Sequence, residues 1–453
     1  MENQENQNEK LRALIDEKKF AELRRMLETM EPADIAAFLS DLPEEELPLV
    51  FRLLPKELAA STFVELDTDG EELLLRSFSD IEMREVMDQL FADDTVDIIE
   101  EMPANVVSRM LRIIPAEQRR TINELLNYPD DSAGSVMTVE YIELRPTMTV
   151  EDAFACIRRT GLDKETVYTC YVTDANRHLI GLVTALTLML TEHNALIGDI
   201  METNVISAGT LEPKEEVAHQ IERYDLLALP VVDKENRLVG IVTVDDAIDV
   251  ISDETEDEFT KMAAIAPMED SYFKTSVFKH AKKRIVWLLI LMISATISGA
   301  VITHYQEAFS SVPILVAFLP MLMDTGGNCG SQSSTMIIRG LATEEIRMRD
   351  YLRVLRKEIS IGAIVGLLMA SVNFVRVMIQ YHNSSMAPQL GLTLGITLIS
   401  TAIIAKTLGC TMPMLAKKLK LDPAIMASPL ITTMVDCFTV LVYFNIALLI
   451  LPI

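Results

Sequence analysis

Asp436 lies inside an apolar stretch of roughly residues 424–452. A carboxylate near the middle of a bilayer costs ~3 kcal/mol or more, and such residues usually mark ion paths. Ser428 and Thr432 precede it at four-residue steps, so the three share one helix face. A second apolar stretch, about 312–341, reads Pro320-Met-Leu-Met-Asp324-Thr-Gly-Gly-Asn328-Cys-Gly-Ser-Gln332. Within it Asp324, Gly327, Ser331 and Thr335 recur at i+3 and i+4, leaving one face polar or bare. Small residues such as Gly326, Gly327 and Gly330 also let helices pack closely, but packing does not account for Asp436. Carboxylate, hydroxyl and backbone carbonyl are hard oxygen donors that suit Mg²⁺ or Ca²⁺ better than soft transition metals. One chain offers too few of them to surround an ion, and Mg²⁺ sheds water reluctantly. Two symmetry-related Asp436 carboxylates facing a dyad would hold the hydrated ion, which predicts a homodimer with one axial pore.

These residues need a membrane bundle to position them. Five stretches are long enough to cross a bilayer that needs ~20 residues: roughly 284–305, 312–341, 359–381, 389–416 and 424–452. Lys279, Lys282, Lys283 and Arg284 precede the first; Arg347, Arg349, Arg353, Arg356 and Lys357 follow the second; Lys417, Lys418 and Lys420 follow the fourth. The intervening loops, 304–312 and 381–390, have no Lys or Arg. The positive-inside rule therefore places the preceding block in the cytoplasm and the C-terminus outside. The prolines and glycines of the second stretch predict kinks or opened backbone, and Pro429 predicts a freed carbonyl in the fifth.

Charge divides the same way. Residues 1–272 carry 59 acidic and 24 basic side chains, and residues 273–453 carry 8 and 16, within a net charge of −27. A polar N-terminus without an apolar run is no secretory signal. The five cysteines are scattered without a CxxC pair, against a disulfide framework or zinc site. Acidity excludes nucleic acid as a partner, and no nucleophile–base pair or phosphate-binding loop suggests an enzyme.

Residues about 136–256 contain a duplication. One copy (about 136–199) runs from Val136-Met137-Thr138 to Leu179-Ile-Gly-Leu-Val-Thr184, the other (200–258) from Ile200-Met201-Glu202 to Leu238-Val-Gly-Ile-Val-Thr-Val-Asp-Asp246. Each ends in a strand entering a helix. This α/β pattern resembles a tandem CBS pair. The resemblance implies an adenine nucleotide such as ATP at Gly240, Thr243 and Asp246; the first copy has Thr187 where the acid is expected. Residues 1–130 read as an all-α array of stacked helix pairs, with starts marked by Pro32, Pro55 and Pro115. Asp93, Asp94 and Asp97 fall within one helical turn. Asp245, Asp246 and Asp249, followed by Asp253, Glu254, Glu256, Asp257 and Glu258, form a run that self-repels unless cations bridge it. Residues 259–283 read as an amphipathic linker helix leading into a five-helix transmembrane domain, 284–453.

Together with the D-T-G-G-N-x-G-x-Q segment, this organisation resembles the MgtE family of Mg²⁺ channels over essentially the whole chain. The resemblance implies a homodimeric multidomain membrane protein whose Mg²⁺ pore is shut by cytosolic Mg²⁺, serving magnesium homeostasis at the cytoplasmic membrane. By position it assigns the pore to Asp436, Thr432, Ser428, Gly327, Ser331 and Thr335, beside the motif residues Asp324, Gly326, Asn328 and Gln332. It assigns cation sensing to Asp93, Asp97, Glu215, Asp225, Asp246, Glu254, Glu258 and Asp422. Family members can carry Asn at Ser331 and Ser428, and acids are expected where this chain has Ser61 and Pro213. Two other readings fit the residues: an exchanger coupling divalent cations to Na⁺ or H⁺ through Asp324, and a membrane-anchored nucleotide sensor that transports nothing.

Overall fold

A computed structural model of the protein describes residues 2–266, 275–305, 312–343, 345–426 and 428–451. It divides into two units, Met1–Ser252 and Asp253–Ile453.

The first unit opens with ten helices, α1 (Glu2–Asp16) to α10 (Ala116–Leu125). Pro32 stands in the first turn of Pro32–Ser40, while Pro55, Pro103 and Pro115 cap the helices that follow them. Proline fits such starts because the first helical N–H groups have no partner within the helix. Packing skips one helix at a time. Helices three, five, seven and nine stack in one row, and four, six, eight and ten in the other. Phe51, Phe63 and Phe78 meet between the rows at 5.6–6.3 Å between ring centroids.

Two three-stranded sheets follow. The first contains β1 (Ile142–Leu144), β2 (Thr169–Thr173) and β3 (Leu179–Thr184), with α11 (Val150–Thr160) after β1 and α12 (Ala185–Leu190) after β3. The second repeats it with β4 (Ala208–Gly209), β5 (Ala228–Val232) and β6 (Leu238–Thr243), helix α14 (Lys214–Tyr224), and α15 (Val244–Met262) after β6; the short α13 (Ile197–Ile200) joins the copies. In each, the first pair is parallel and the second antiparallel. The copies exchange their leading segments: Thr138 bridges to Ile241 on β6, and Glu202 to Leu182 on β3. A Cβ on Gly240 would stand 2.7 Å from the Thr138 carbonyl oxygen, and one on Gly181 2.9 Å from that of Glu202. The glycine of each terminal motif therefore leaves room for the crossing strand. One apolar core joins the helical array to the second copy through Met110, Ile122, Met137, Val217 and Val242, which brings α8 (Ala92–Glu101) near the start of α15.

In the second unit the long helices are α16 (Val277–His304), α17 (Leu319–Ala342), α18 (Tyr351–Gln380), α19 (Ala387–Lys418) and α20 (Ser428–Ile450). Among the described residues four of them, α16, α18, α19 and α20, are long and apolar enough to cross a membrane, α18 and α20 together with the turns that precede them. The fifth, α17, has 24 residues but is more polar. Three expectations change. The second stretch is not opened at its glycines: Pro313 belongs to a 3₁₀ turn, Pro313–Phe318, Pro320 falls in the first turn of α17, and the helix runs on unbroken. Pro429 likewise occupies the first turn of α20, where its missing N–H costs nothing. The linker is not one helix over 259–283. Helix α15 absorbs the acidic run and ends at Met262, Ala264 turns left-handed at φ 57°, and Ala266 precedes a proline, which disfavours helix. Residues 267–274 of that linker lie outside the described residues, and Ser276 caps α16.

Candidate ion path and acidic interface

The membrane residues fall on α17 and α20. Helix α17 buries one side with Gly326, Gly327, Gly330, Ser333 and Ser334, and leaves Asp324, Asn328, Gln332 and Thr335 exposed, with Ser331 half-buried. The glycines are packing positions. A Cβ on Gly326 would meet Thr439 Oγ1 at 2.7 Å, on Gly327 Thr432 Cγ2 at 2.7 Å, and on Gly330 Ile431 Cγ2 at 2.8 Å. Close helix approach is thus their direct role, and Gly327 is covered within the protomer by Thr432. Asp436 is half-buried, its Oδ1 is enclosed with no hydrogen-bond partner, and Asp324 is near enough for the two charges to repel. Ser428 starts α20, but its side chain lies outside the described residues.

The cytosolic acids converge in part. Asp93, Asp94 and Asp97 on α8 face Asp246 at the start of α15, with Glu165 and Asp245 close by. Burial, reinforced by the charge of Asp246, lifts Asp94 to about 6 and Asp97 to about 7. Burial and then Asp94 lift Glu165 to about 7. Asp246 itself reaches about 6 through burial, although Thr243 donates to it at 2.5 Å. Asp93 is pushed well up, first by burial and then by Asp94, and its Oδ1 has no partner. Glu71 on α6 (Thr68–Ser77) rises to about 8 from burial and the neighbouring Glu101. Burying like charges together is costly unless protons or cations neutralise them. The chemistry of this set fits a hard divalent ion. Among the described residues, however, no three His, Cys, Asp or Glu side chains close a metal cage. An ion here would bridge α8 and α15 with water completing its shell.

Other predicted sensors stand apart. Glu215 is in the first turn of α14 and Asp225 caps its far end in a left-handed conformation, so the helix separates them by about 15 Å. Glu254 and Glu258 lie on α15. Asp422 pairs with Lys261 at 3.2 Å, an ammonium that a cation would have to displace. At the expected nucleotide end, Thr243 and Asp246 are bonded to each other, and in the first copy Thr184 and Thr187 make the equivalent contact at 3.0 Å.

Sequence reasoning passed over Glu71, Asp94 as a sensor, and Glu165, because only the fold brings them to one interface. It also missed a buried charge pair, Glu358 on α18 with Lys406 on α19. The signal was present, since Lys406 is the one charged residue in the stretch 389–416.

The model of the MgtE family, described as divalent cation transporters, matches residues 319–446. The model of the MgtE intracellular N domain matches 30–131, and that of the CBS domain 133–191 and 197–253. The magnesium transporter MgtE of Bacillus subtilis is 33% identical over 96% of this chain and 95% of its own length. That of Thermus thermophilus is 32% identical over 95% of each. Among solved structures, the soluble part of a magnesium transporter superposes at TM-score 0.52 and 30% identity, covering 55% of this chain and 99% of that one. The cytosolic domain of the Mg²⁺ channel MgtE in complex with ATP does so at TM-score 0.51 and 34% identity, covering 53% and 98%.

Proposed function

The chain belongs to the MgtE family of magnesium transporters, which are not enzymes, and on that premise we propose that it is a homodimeric Mg²⁺ channel whose cytosolic acids close it. The observation that carries this reading is the exposed face of α17. Over 361–379 the exposed side chains of α18 are mostly apolar, Ile364, Leu367, Leu368, Val372, Val375 and Ile379 among them, which suit lipid, while the exposed Ser371 bonds back to the Leu367 carbonyl and Arg376 to Asn373. On α17 they include Asp324, Asn328, Gln332 and Thr335. Hydrocarbon cannot satisfy those groups, so they face water or a second copy. In this reading α17 is a fifth span, and the α17 and α20 of two protomers surround the path. Mg²⁺ passes with most of its water, held by carboxylate and hydroxyl oxygens that include Asp436 and Thr432.

Closure follows from the acidic interface. With little Mg²⁺, the carboxylates of α8 and α15 repel one another. With ample Mg²⁺, ions held by Asp93, Asp97 and Asp246 neutralise that repulsion and draw the helical array onto the CBS pair. Glu215, Asp225, Glu254, Glu258 and Asp422 serve as further weak sites. Moving a gate from 1:99 to 99:1 requires ~5.5 kcal/mol of differential binding, which several weak sites doubled by the dimer can supply. The ATP held by the structural relative supports an adenine nucleotide at the Gly240–Thr243–Asp246 end. The basic loops support the cytoplasmic membrane, with the N-terminus inside and the C-terminus outside.

The test is Mg²⁺ flux into proteoliposomes, wild type beside Asp436→Asn, with Mg²⁺ varied on the side of the soluble domains. We expect flux to fall at least tenfold in the variant and wild-type flux to be suppressed by millimolar Mg²⁺. Wild-type flux in Asp436→Asn would move the path away from this residue.

A further inference from the structure

Where α17 meets α18 and α19, a charged cluster is enclosed by protein. Glu358 is 8% exposed and Lys406 5%. The Lys406 ammonium stands 3.9 Å from Glu358 Oε2 and donates to the carbonyl of Cys329 on α17 at 3.5 Å. The Ser333 hydroxyl, also on α17, lies 2.5 Å from the same Glu358 oxygen and 3.2 Å from the Lys406 carbonyl, donating to one at a time. One turn beyond Lys406 the backbones touch: a Cβ on Gly409 would come within 2.3 Å of the Gly330 carbonyl oxygen. Glu358 heads a buried edge of α18 that continues through Gly362, Gly366 and Ala370 against α19. Two charges are therefore held in a buried contact whose partners on α17 are Cys329 and Ser333.

Those two residues have a definite relation to the exposed polar face. At 100° per residue, Cys329 and Ser333 stand about 125° around the helix from the middle of the exposed set Asp324, Asn328, Gln332 and Thr335. The charge pair therefore grips α17 away from its exposed face. A buried ion pair adds little stability compared with apolar packing, and its best-attested use is to fix register. A rotation of α17 by one residue, about 100°, would carry Asp324, Asn328 and Ser331 off the face they now occupy and pull Cys329 and Ser333 from their partners.

We propose that Glu358 and Lys406 are positioning residues that lock the rotation of α17 through Ser333 and the Cys329 carbonyl, and so aim its polar face at the ion path. The proposal rests on the reading that α17 lines that path. Neither residue touches the ion; both act through the helix they hold.

Cys329 reports on the lock, because its own side chain is buried on the gripped side. Cys410, buried on α19, serves as the internal control. In the full-length protein in proteoliposomes, N-ethylmaleimide labelling is read by mass spectrometry beside Mg²⁺ flux for wild type, Lys406→Met, Glu358→Gln and the double variant. The expected result is Cys329 labelling at least tenfold faster in each single variant, with Cys410 still protected and flux per folded protein down at least tenfold. Labelling that rises equally at Cys329 and Cys410 would mean general loosening and would overturn the proposal. So would protected Cys329 with wild-type flux. Where a lone buried charge prevents folding of the single variants, the double variant decides. Fast Cys329 labelling with protected Cys410 supports the lock, and wild-type labelling and flux reject it. Ser333→Ala, which keeps both charges, decides by the same criteria if the double variant also fails to fold. Asp436→Asn in parallel separates the two readings: wild-type flux there defeats the path, whereas unchanged Cys329 labelling in the pair variants defeats only the lock.

Discussion

Asp97, Asp246 and Glu165 hold protons closer to neutral pH than ordinary carboxyls because burial and then neighbouring carboxylates raise them to about 7, 6 and 7. A carboxyl raised in the fold binds protons more tightly there than in the unfolded chain. Its contribution is therefore complete below the ordinary carboxylate range near ~4, and is lost as pH rises through about 6 to 7. On the function proposed above, a divalent ion takes over where the protons leave. Mg²⁺ binding to the full-length protein should tighten from pH 6 to pH 8 and should release protons. Calorimetric titration in buffers of different ionisation enthalpy measures both; equal affinity with no proton release would remove the interface from sensing. Asp246→Asn deletes a charge felt by Asp93, Asp94, Asp97 and Glu165. It should raise the Mg²⁺ needed to suppress flux about tenfold, equivalent to ~1.4 kcal/mol, and flatten the pH dependence. Suppression at the wild-type Mg²⁺ concentration would deny Asp246 that part.

At the scale of elements, glycines set how closely the membrane helices approach. Gly409 faces the backbone of Gly330, which cannot move aside as a side chain can, whereas a Cβ on Gly299 of α16 would meet nothing within 4 Å. Gly409→Ala should therefore force α17 and α19 apart, at ~1–3 kcal/mol for overpacking, and Gly299→Ala should be neutral. Thermal melting of the detergent-solubilised protein compares them directly, and equal melting temperatures would mean that the helices are not held this closely. The same contrast explains what could be read from the chain. The paired helices, the duplicated strand–helix motif and the long apolar helices repeat locally, so period and spacing expose them. Proline was misjudged at Pro320 and Pro429 because its effect depends on whether it falls in a first turn, and helix boundaries shift by a few residues. The acidic run does mark the end of a domain, but α15 continues through it, since charge alone does not end a helix. Lys406 stood out in its apolar run and was passed over, but its partner Glu358, like the pairing of Glu165 with Asp246, is joined only by tertiary packing. Asp436, Asp324 and Asn328 were legible for the opposite reason: polar groups in an apolar run stand out whatever their partners.

For the molecule as a whole, the central question is what covers the polar face of α17. A single protomer leaves Asp324, Asn328, Gln332 and Thr335 exposed on a helix that packs against α19 and α20 on its other side, whereas α16 and α18 expose mostly apolar side chains. Helix α16 is also sparsely covered by its own protomer, meeting chiefly α20. In the first unit, Leu186, Met189 and Leu190 of α12 and Ile248 of α15 are exposed, an apolar surface that a lone copy would leave to water. Each unit, taken by itself, presents a face that the proposed dimer would cover, since a two-fold interface sets the same patch of each subunit against its twin. Asn328 is then close to its symmetry mate across the path, while Leu367 of α18 points to lipid. Asn328→Cys should cross-link into dimers in native membranes on mild oxidation or with a short bis-maleimide, and Leu367→Cys should not. Cross-linked Asn328→Cys should also lose Mg²⁺ flux until reduced, because the new bond crosses the route of the ion. Dimers formed through Leu367→Cys but not Asn328→Cys would put α17 elsewhere, and with it the axis on which the conduction reading depends.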